Sequence, residues 1–330
     1  MVTELRLSQA CEGMIREKAA IGRSSLTIAD YRVSFRKLLL YFKADPSIPS
    51  IRRDQLVNFF AWLQDEYVSE PDGVAPRGKI RLSPKSIRNI HTNLSALWTW
   101  SVQEEFVVEN IVSTIEKPRF SPPEVIPLTR DDLVGLLGAC DKSRTWKTRS
   151  SSTSRPTSER DKAIIKLLLD TGIRASELCE IRFQDLNLRD HTLIVRGKGP
   201  GRGHKERVVH LSKSTGQSVW KYLLPRMETI RETDNVFVVG TWEEWRPMTR
   251  QVLWKLIKRI GERAGVNNVY PHRFRRTFAI TYLRNGGDLF TLQDLLGHSD
   301  LSMVRRYARI AQVDRDKAHR IASPVKNWRL

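Results

Sequence analysis

A proline-rich segment near residue 120 is the feature that most constrains how this chain can fold. Residues 117–124 hold three prolines among charged and polar residues. Proline lacks a backbone amide donor and disfavours helix at the residue before it, so this segment predicts an extended linker. A chain of 330 residues is longer than one hydrophobic core usually covers. We therefore predict two domains, residues 1–118 and 129–330, joined by a linker over 119–128.

The residues before this linker have the apolar spacing of helices. Apolar side chains recur with a 3.6-residue period over 31–42, 56–63 and 87–98. The pairs Thr27 with Asp30 and Ser83 with Pro84 have the spacing of helix N-termini. A short fourth helix is expected over 104–115. This pattern predicts a compact domain of four helices.

The residues after the linker combine helical and β patterns. Helical spacing begins near 129, runs from 161 to 172, restarts near 174, and returns over 213–226, 249–264, 273–284, 289–296 and 302–310. Residues 191–196 and 206–211 read as strands around a glycine-rich turn, which predicts an antiparallel hairpin. Residues 143–158, rich in Ser, Thr, Arg and Lys, predict a flexible basic loop. The predicted fold class is mainly α, with an α+β second domain that holds a small antiparallel sheet.

The charge of the chain predicts a polyanionic partner. It carries 56 Lys/Arg against 37 Asp/Glu, a net charge of +19. Residues 1–120 hold 17 of the basic and 14 of the acidic residues, so 121–330 hold the other 39 and 23. The second domain thus carries most of the electrostatic field, as expected of a nucleic-acid-binding surface. No apolar stretch has bilayer length and no signal peptide is evident, so a cytoplasmic protein without membrane contact is expected.

The cysteines argue against a disulfide framework or a zinc site. Cys11, Cys140 and Cys179 are odd in number and far apart, without paired metal-ligand spacing. We expect them to be small buried side chains, and we expect neither a metal nor a cofactor.

Several residues of the second half are the types that metal-free phosphodiester cleavage needs. Such a reaction requires a nucleophile, cationic groups on the non-bridging oxygens and a proton donor for the leaving oxygen. Arg174 starts a predicted helix directly after a glycine turn, and Arg275 lies one helical turn after His272. The two arginines could clamp one phosphate. Tyr307 is a candidate nucleophile, which needs neighbouring imidazole and positive charge because a phenol ordinarily has a pKa near ~10.

Taken singly, each of these residues has an ordinary explanation. His272 or His298 alone is more often a core or capping residue, Tyr307 a packing aromatic and Arg174 a solvated side chain. Glu177 is expected to be structural, bonded to local backbone or to an arginine. Only the joint order of these residue types favours catalysis.

That joint order resembles the signature of the tyrosine recombinase (phage integrase) family. The resemblance is carried by Thr-Gly-Ile-Arg174-x-Ser-Glu-Leu, Lys198, His272-x-x-Arg275, Leu296-Gly297-His298 and Tyr307. Two positions depart from it: Arg276 stands where many members have a second histidine, and Phe274 where leucine is common. Neither change removes a catalytic group.

The resemblance implies a reaction. Tyr307 would attack the scissile phosphate, form a 3′-phosphotyrosyl link and release a 5′-hydroxyl, without metal or ATP. Arg174 and Arg275 would hold the non-bridging oxygens. The remaining roles would be proton donation to the leaving oxygen by Lys198, acid–base assistance by His272 and a phosphate hydrogen bond from His298. Lys205 and Arg202 share the hairpin with Lys198, which is preferred because it directly follows the first strand.

The resemblance also implies a layout and partners. The first domain would be a helical, SAM-like core-binding clamp, and the second the catalytic domain. The enzyme would act as a homotetramer on two double-stranded DNA sites, with an accessory DNA-bending or excision factor as a further candidate partner. Additional phosphate contacts are expected from basic residues, namely Arg52, Arg53, Lys79, Arg81, Lys85, Arg88, Arg202 and Arg276.

Integration or excision of a mobile element is the expected biological role. Resolution of chromosome or plasmid dimers is the alternative within the family. A type IB topoisomerase-like relaxing enzyme and a non-catalytic DNA-bridging protein are the rivals outside it. The second of these rivals explains the charge but leaves the placement of the arginines, histidines and tyrosine without a cause.

Overall fold

The structure is a computed structural model that describes residues 5–69, 80–121, 126–141, 157–198, 204–241 and 244–297, with the single positions 305, 307, 308, 323 and 325. The chain forms two compact units, Met1–Pro123 and Glu124–Leu330. Each unit buries an apolar core of its own. None of the helices in the described part is both long and apolar enough to cross a bilayer.

The first unit is a bundle of helices. They are α1 (Leu7–Ala20), α2 (Ser25–Phe42), α3 (Arg53–Asp65) and α4 (Pro84–Gln103), and a short antiparallel pair, β1 (Val68–Ser69) with β2 (Ile80–Arg81), accompanies them. Fully buried aromatic side chains fill the centre of the bundle, among them Phe35, Phe59 and Trp98. Ser83 caps α4 by accepting the Ser86 amide, with Pro84 at the first helical position, as the sequence predicted.

Three sequence predictions for this unit need correction. Helix α1 was not predicted, although its buried side chains follow the helical period: Leu7, Ala10, Cys11, Met14 and Ile15. Helix α2 begins at Ser25 because Ser24, rather than Thr27, accepts the capping hydrogen bond. Residues 104–115 form turns, not a helix. Glu105 there has a φ of 61°, and the Asn110 amide bonds the Ser95 carbonyl, 3.0 Å away, so side-chain contacts replace the helical ladder.

Acidification is expected to destabilise the first unit through His91. This side chain is 1% exposed, and its Nε2 donates to the Ile115 carbonyl at 2.9 Å, which leaves Nδ1 without a partner among the described residues. Burial is the main cause that lowers the pKa of His91, and the charges of Lys117 and Arg88 lower it further, against the raising effect of the nearby Ile115 and Val112 backbone. The unfolded chain therefore binds more protons than the folded one, and stability is lost as the pH falls below the unfolded pKa of about 6.5.

Urea unfolding of the wild type and of His91→Gln, compared between about pH 8 and about pH 5, measures this effect. Glutamine retains a donor for the Ile115 carbonyl but does not titrate. The loss of unfolding free energy on acidification should therefore be smaller in the variant. Parallel pH profiles for the two proteins would show that His91 is not the titrating group.

The second unit consists mainly of helices, with two small antiparallel sheets. Its helices are α5 (Arg130–Asp141), α6 (Ser158–Thr171), α7 (Ala175–Glu180), α8 (Lys213–Leu223), α9 (Arg250–Ala264), α10 (Pro271–Arg284) and α11 (Leu289–Leu296). One sheet has the order β3 (Leu186–Asn187), β4 (Thr192–Lys198), β5 (His204–His210), and the other pairs β6 (Val238–Thr241) with β7 (Glu244–Pro247). The predicted fold class and the β4–β5 hairpin are confirmed. The β6–β7 hairpin was not predicted.

Helix α6 lies at the centre of this unit. It packs against α5, α8 and α10, and its side chains Ile164, Leu167 and Leu168 are almost fully buried. The three cysteines are free and buried, as predicted, and burial raises the pKa of each thiol. Of the predicted basic loop, residues 143–156 lie outside the described residues, and Ser158 is the first residue of α6.

Candidate active site

A glycine turn between α6 and α7 places Arg174. Helix α6 ends at Gly172, which has a φ of 61° and lies so close to Phe278 that a Cβ would collide with its ring. Glycine is required there for both reasons. Arg174 then caps α7: its backbone amide donates to Glu177 Oε2 at 2.8 Å. Its side chain is 40% exposed, so the guanidinium is reachable from solvent.

Arg275 is a buried cation held by backbone carbonyls. It is 1% exposed on α10, with Nη1 donating to the Gly172 carbonyl at 2.8 Å and Nη2 to the Leu296 carbonyl at 2.7 Å. Burial and the positive charge of Arg174 lower the pKa of Arg275 to about 10, and Glu177 and Tyr307 partly offset them. The group remains protonated at neutral pH. Within the described residues these two bonds use two of its five N–H donors, and the other three bond no described group.

The C-terminus of α11 gathers the arginines. The helix ends at Gly297, with a φ of 62°, and the last carbonyls of a helix have no intrahelical partner. The Gly297 carbonyl accepts from Arg174 Nη2 at 3.1 Å, and the Leu295 carbonyl from Arg207 Nε at 2.7 Å. With the Leu296 bond to Arg275, three successive carbonyls bind three different arginines. Arg207 was missed by sequence reasoning, because its partners are distant in the chain.

Glu177 is the buried anion of this cluster. It is 4% exposed, and its carboxylate accepts from Arg174 Nη1 at 2.7 Å and from Arg207 Nη1 and Nη2 at 3.1 and 2.8 Å. Burial alone would raise the pKa of Glu177, but the bonds and charges of the two arginines, with the Arg174 backbone amide, outweigh burial and hold the pKa below its usual range. The bonds expected of Glu177, to local backbone and to an arginine, are both present.

Removing the charge of Glu177 is expected to destabilise the second unit strongly. In Glu177→Gln two arginines lose their shared anion, and breaking a buried pair typically costs ~3–5 kcal/mol. Glu206→Gln is the matched control, because Glu206 also pairs with an arginine, Arg196 at 3.0 Å, but is 56% exposed. An exposed pair contributes only ~0–1 kcal/mol. Urea unfolding measures both variants, and equal losses would contradict the assigned role of Glu177.

His272 and Arg174 line the same cavity. His272 is exposed in the first turn of α10 and lines a space of about 230 Å³ with Arg174, Ser176 and Arg250. Arg250, the first residue of α9, is a basic neighbour that sequence reasoning did not single out. The cavity therefore carries positive charge beside an imidazole, which suits an anionic ligand.

Tyr307 is buried beside the arginine cluster. It is 1% exposed and packs in an apolar cluster with Ile280 and Leu283 of α10 and Leu292 and Leu296 of α11. Within the described residues its hydroxyl has no hydrogen-bond partner. Tyr307 is close enough to Arg275 to raise the pKa of that guanidinium, so the two side chains lie in one electrostatic environment.

The other predicted site residues are placed in part or lie outside the described residues. Lys198 ends β4, where its backbone pairs with His204, and nothing is described of its side chain or that of Lys205. His298, Arg202 and Lys79 lie outside the described residues.

The basic residues predicted to contact DNA are mostly exposed on the first unit. Three of them hold intramolecular contacts: Arg52 with the Asp54 carboxylate, Arg53 with Thr114 and Arg88 with the Pro118 carbonyl. Arg81 and Lys85 are exposed as well. Arg276, in the second unit, is half-buried and donates to the Tyr270 hydroxyl at 3.2 Å.

Comparison with known proteins identifies the family of the chain that carries this cluster. Residues 127–313, more than half of the chain, match the model of the Phage integrase family, and the matched stretch contains Arg174, Arg275 and Tyr307. The chain belongs to the phage integrase family. It is a tyrosine recombinase, an enzyme of site-specific DNA recombination that cleaves and rejoins DNA strands.

Individual relatives of the chain are also named tyrosine recombinases. Tyrosine recombinase XerD of Staphylococcus haemolyticus is 29% identical over 301 residues, 88% of this chain and 90% of the relative. Tyrosine recombinase XerA of Pyrococcus horikoshii is 31% identical over 237 residues, 70% of this chain and 73% of the relative.

Solved structures of integrases share the fold. The Tn1549 transposon integrase in complex with a circular intermediate DNA gives a TM-score of 0.70 at 18% identity, covering 96% of this chain and 100% of that one. A lambda integrase dimer bound to a COC′ core site gives 0.66 at 18% identity, covering 91% and 97%. XerH bound to a palindromic difH substrate gives 0.67 at 22% identity, covering 96% and 84%. At such identities the likeness concerns the fold, here that of a mainly helical recombinase.

Proposed function

We propose that Tyr307 is the nucleophile of this recombinase and that Arg174 and Arg275 bind the phosphate it attacks. The observation that carries the proposal is the convergence of both guanidinium groups on the α11 C-terminus, where each keeps N–H donors that bond nothing else in the described part of the chain. Arg275 bonds the Leu296 carbonyl and Arg174 bonds the next one, that of Gly297. Preorganised cationic donors that meet developing negative charge are usually the largest source of rate enhancement.

The proposed step balances without a cofactor. The phenolic oxygen of Tyr307 forms a bond to phosphorus as the bond to the 5′-oxygen breaks, which yields a 3′-phosphotyrosyl link and a 5′-hydroxyl. His272 takes part in proton transfer from the phenol, and Lys198 delivers a proton to the leaving oxygen. His298 donates a hydrogen bond to the phosphate. Attack by a 5′-hydroxyl of another strand reverses the step, and the link preserves the energy for rejoining.

Burial of the nucleophile fits this proposal. A buried hydroxyl without a partner is unfavourable by ~1–3 kcal/mol. Tyr307 has such a hydroxyl within the described residues, next to the cations of the cluster. A phosphate that enters between Arg174 and Arg275 would supply the polar neighbour that the phenol lacks.

We propose double-stranded DNA as the partner and a homotetramer on two sites as the active assembly. Structures of lambda integrase contain a dimer on a core site and a tetramer on a Holliday junction. The net positive charge of residues 121–330 supports binding to phosphates. The exposed basic residues of the first unit would make further contacts that depend on salt and little on sequence. An accessory DNA-bending or excision factor is also part of this proposal.

A covalent adduct with DNA tests the catalytic proposal. Repeated binding selection from a randomised duplex pool would supply substrates, and a nick beside the cleavage position would let the released short strand diffuse away and trap the intermediate. We expect an adduct that survives denaturing detergent, with the nucleotide on the peptide that contains Tyr307 by mass spectrometry. Selected duplexes that bind but never give an adduct would contradict cleavage and favour a DNA-bridging protein.

For the biological role we propose integration or excision of a mobile element; transposon and lambda integrases are among the proteins that share this fold. Dimer resolution, the alternative role within the family, is the second candidate. Paired selected sites on one supercoiled plasmid or on two plasmids separate integration from the other roles. A strong preference for joining two plasmids supports integration and argues against dimer resolution, whereas resolving one plasmid is the outcome shared by excision and dimer resolution. Relaxation without recombination would indicate a topoisomerase-like enzyme.

A further inference from the structure

We propose that Arg207 is a positioning residue of the active site, which holds Glu177 and the C-terminus of α11 so that Arg174 and Arg275 are set before DNA binds. The inference rests on the phosphate-binding roles proposed above for those two arginines. Arg207 itself need not touch the phosphate, because its action passes through the groups that it holds.

The contacts of Arg207 join three elements. From β5 it donates Nη1 and Nη2 to the two carboxylate oxygens of Glu177 on α7, at 3.1 and 2.8 Å, and Nε to the Leu295 carbonyl on α11, at 2.7 Å. Its side chain is 10% exposed. A bidentate arginine–carboxylate pair fixes orientation as well as distance. A lysine at this position has no planar fork and cannot reproduce the three bonds together.

The α11 terminus shows why this matters for catalysis. The carbonyls of Leu295, Leu296 and Gly297 follow one another in the chain and bind Arg207, Arg275 and Arg174 respectively. Gly297 is left-handed, and a Cβ there would lie 3.0 Å from Arg207 Nη1, so the turn and the arginine fit closely. Loss of Arg207 therefore removes a hydrogen bond that holds this turn, whose next two carbonyls bond the phosphate-binding arginines.

Electrostatics point in the same direction. Glu177 is shared by two arginines, of which Arg174 is far more exposed than Arg207. Without Arg207, Arg174 is the one arginine that still hydrogen-bonds the buried carboxylate among the described residues, and the carboxylate draws that guanidinium inward, away from a phosphate. The damage from losing Arg207 should then depend on the charge of Glu177.

The hairpin is tied into the same unit. Arg207 pairs across the sheet with Val195 of β4, the strand that ends at Lys198. Arg207 thus links the strand pair of the hairpin to α7 and α11. The buried Arg207 therefore connects the strand of the proposed proton donor with the elements that bond the two arginines.

The test compares Arg207→Ala and Arg207→Lys with the control Arg196→Ala. Arg196 lies on the adjacent strand and also pairs with a buried carboxylate, Asp185, which is 3% exposed, but among the described residues it makes no hydrogen bond to α7 or α11. Duplex affinity and the single-turnover rate of adduct formation at saturating DNA are measured for each, at a temperature where urea unfolding shows the variant folded. We expect both Arg207 variants to bind DNA like the control but to cleave ~10–100-fold more slowly, since misplacement by about 1 Å has effects of this size.

A double variant distinguishes positioning from general damage. The fold-loss in cleavage rate of the double variant Arg207→Ala/Glu177→Gln should be much smaller than the product of the two single fold-losses, because both substitutions act on one pair. The inference is overturned if the two single fold-losses multiply in the double variant. It is also overturned if Arg207→Ala and Arg207→Lys cleave at the rate of Arg196→Ala. A wild type that never forms the adduct would instead overturn the proposed function, so the two failures are distinguishable.

Discussion

Tyr307→Phe is expected to abolish the covalent protein–DNA adduct while leaving the fold and DNA binding intact. The substitution removes only the hydroxyl, which has no hydrogen-bond partner among the described residues. The ring keeps its packing against Ile280 and Leu292. Since a buried unpaired hydroxyl is unfavourable by ~1–3 kcal/mol, the variant should be at least as stable as the wild type. The expected combination is therefore a lost reaction in an undamaged protein.

Adduct yield on the selected nicked duplex, duplex affinity and urea unfolding are measured together. Tyr282→Phe is the matched control, because Tyr282 packs against the same apolar cluster without a proposed role in the reaction. The control should form the adduct at the wild-type rate. An adduct that persists in Tyr307→Phe would place the nucleophile on another residue, and the peptide that carries the nucleotide would identify it.

Local patterns in the sequence predicted those parts of the fold that depend on local chemistry. The cap and first-turn proline at Ser83 and Pro84 start α4, and strand alternation predicted the β4–β5 hairpin. Predictions were wrong where long-range contacts prevail over local spacing. Residues 104–115 have helical spacing, but Asn110 bonds α4 instead, through the Ser95 carbonyl.

The sequence predicted the residue types of the proposed site but not the contacts between them. Arg174, Arg275 and Tyr307 were recognisable from their order, yet Arg275 is held by carbonyls 103 and 21 positions away. Arg207 lies 30 positions from Glu177 and 88 from Leu295. No helical or strand period relates such positions. Only the fold shows that one anion and one helix end organise three arginines.

Arg275→Lys is expected to slow adduct formation by ~10²–10³-fold, the usual effect of losing an electrostatic donor at a reacting centre. The variant keeps the positive charge, so the cause would be geometry. The native guanidinium spans two carbonyls, those of Gly172 and Leu296, and still has donors for a phosphate. An ammonium group is a compact charge without that fork and cannot bridge both carbonyls while it binds a ligand. One buried carbonyl left unpaired should also lower the unfolding free energy by ~1–3 kcal/mol.

The exposed Arg284 in the last turn of the same helix provides the control, Arg284→Lys, for which neither rate nor stability should change. Single-turnover rates at saturating duplex separate chemistry from binding, and urea unfolding establishes that each variant is folded during the assay. If Arg275→Lys cleaves within ~3-fold of the wild type, corresponding to under ~1 kcal/mol of barrier, positive charge alone is sufficient at this position. In that case the two carbonyl hydrogen bonds of Arg275 would contribute to the fold and not to the reaction, because a lysine that cannot make both bonds would cleave at nearly the same rate.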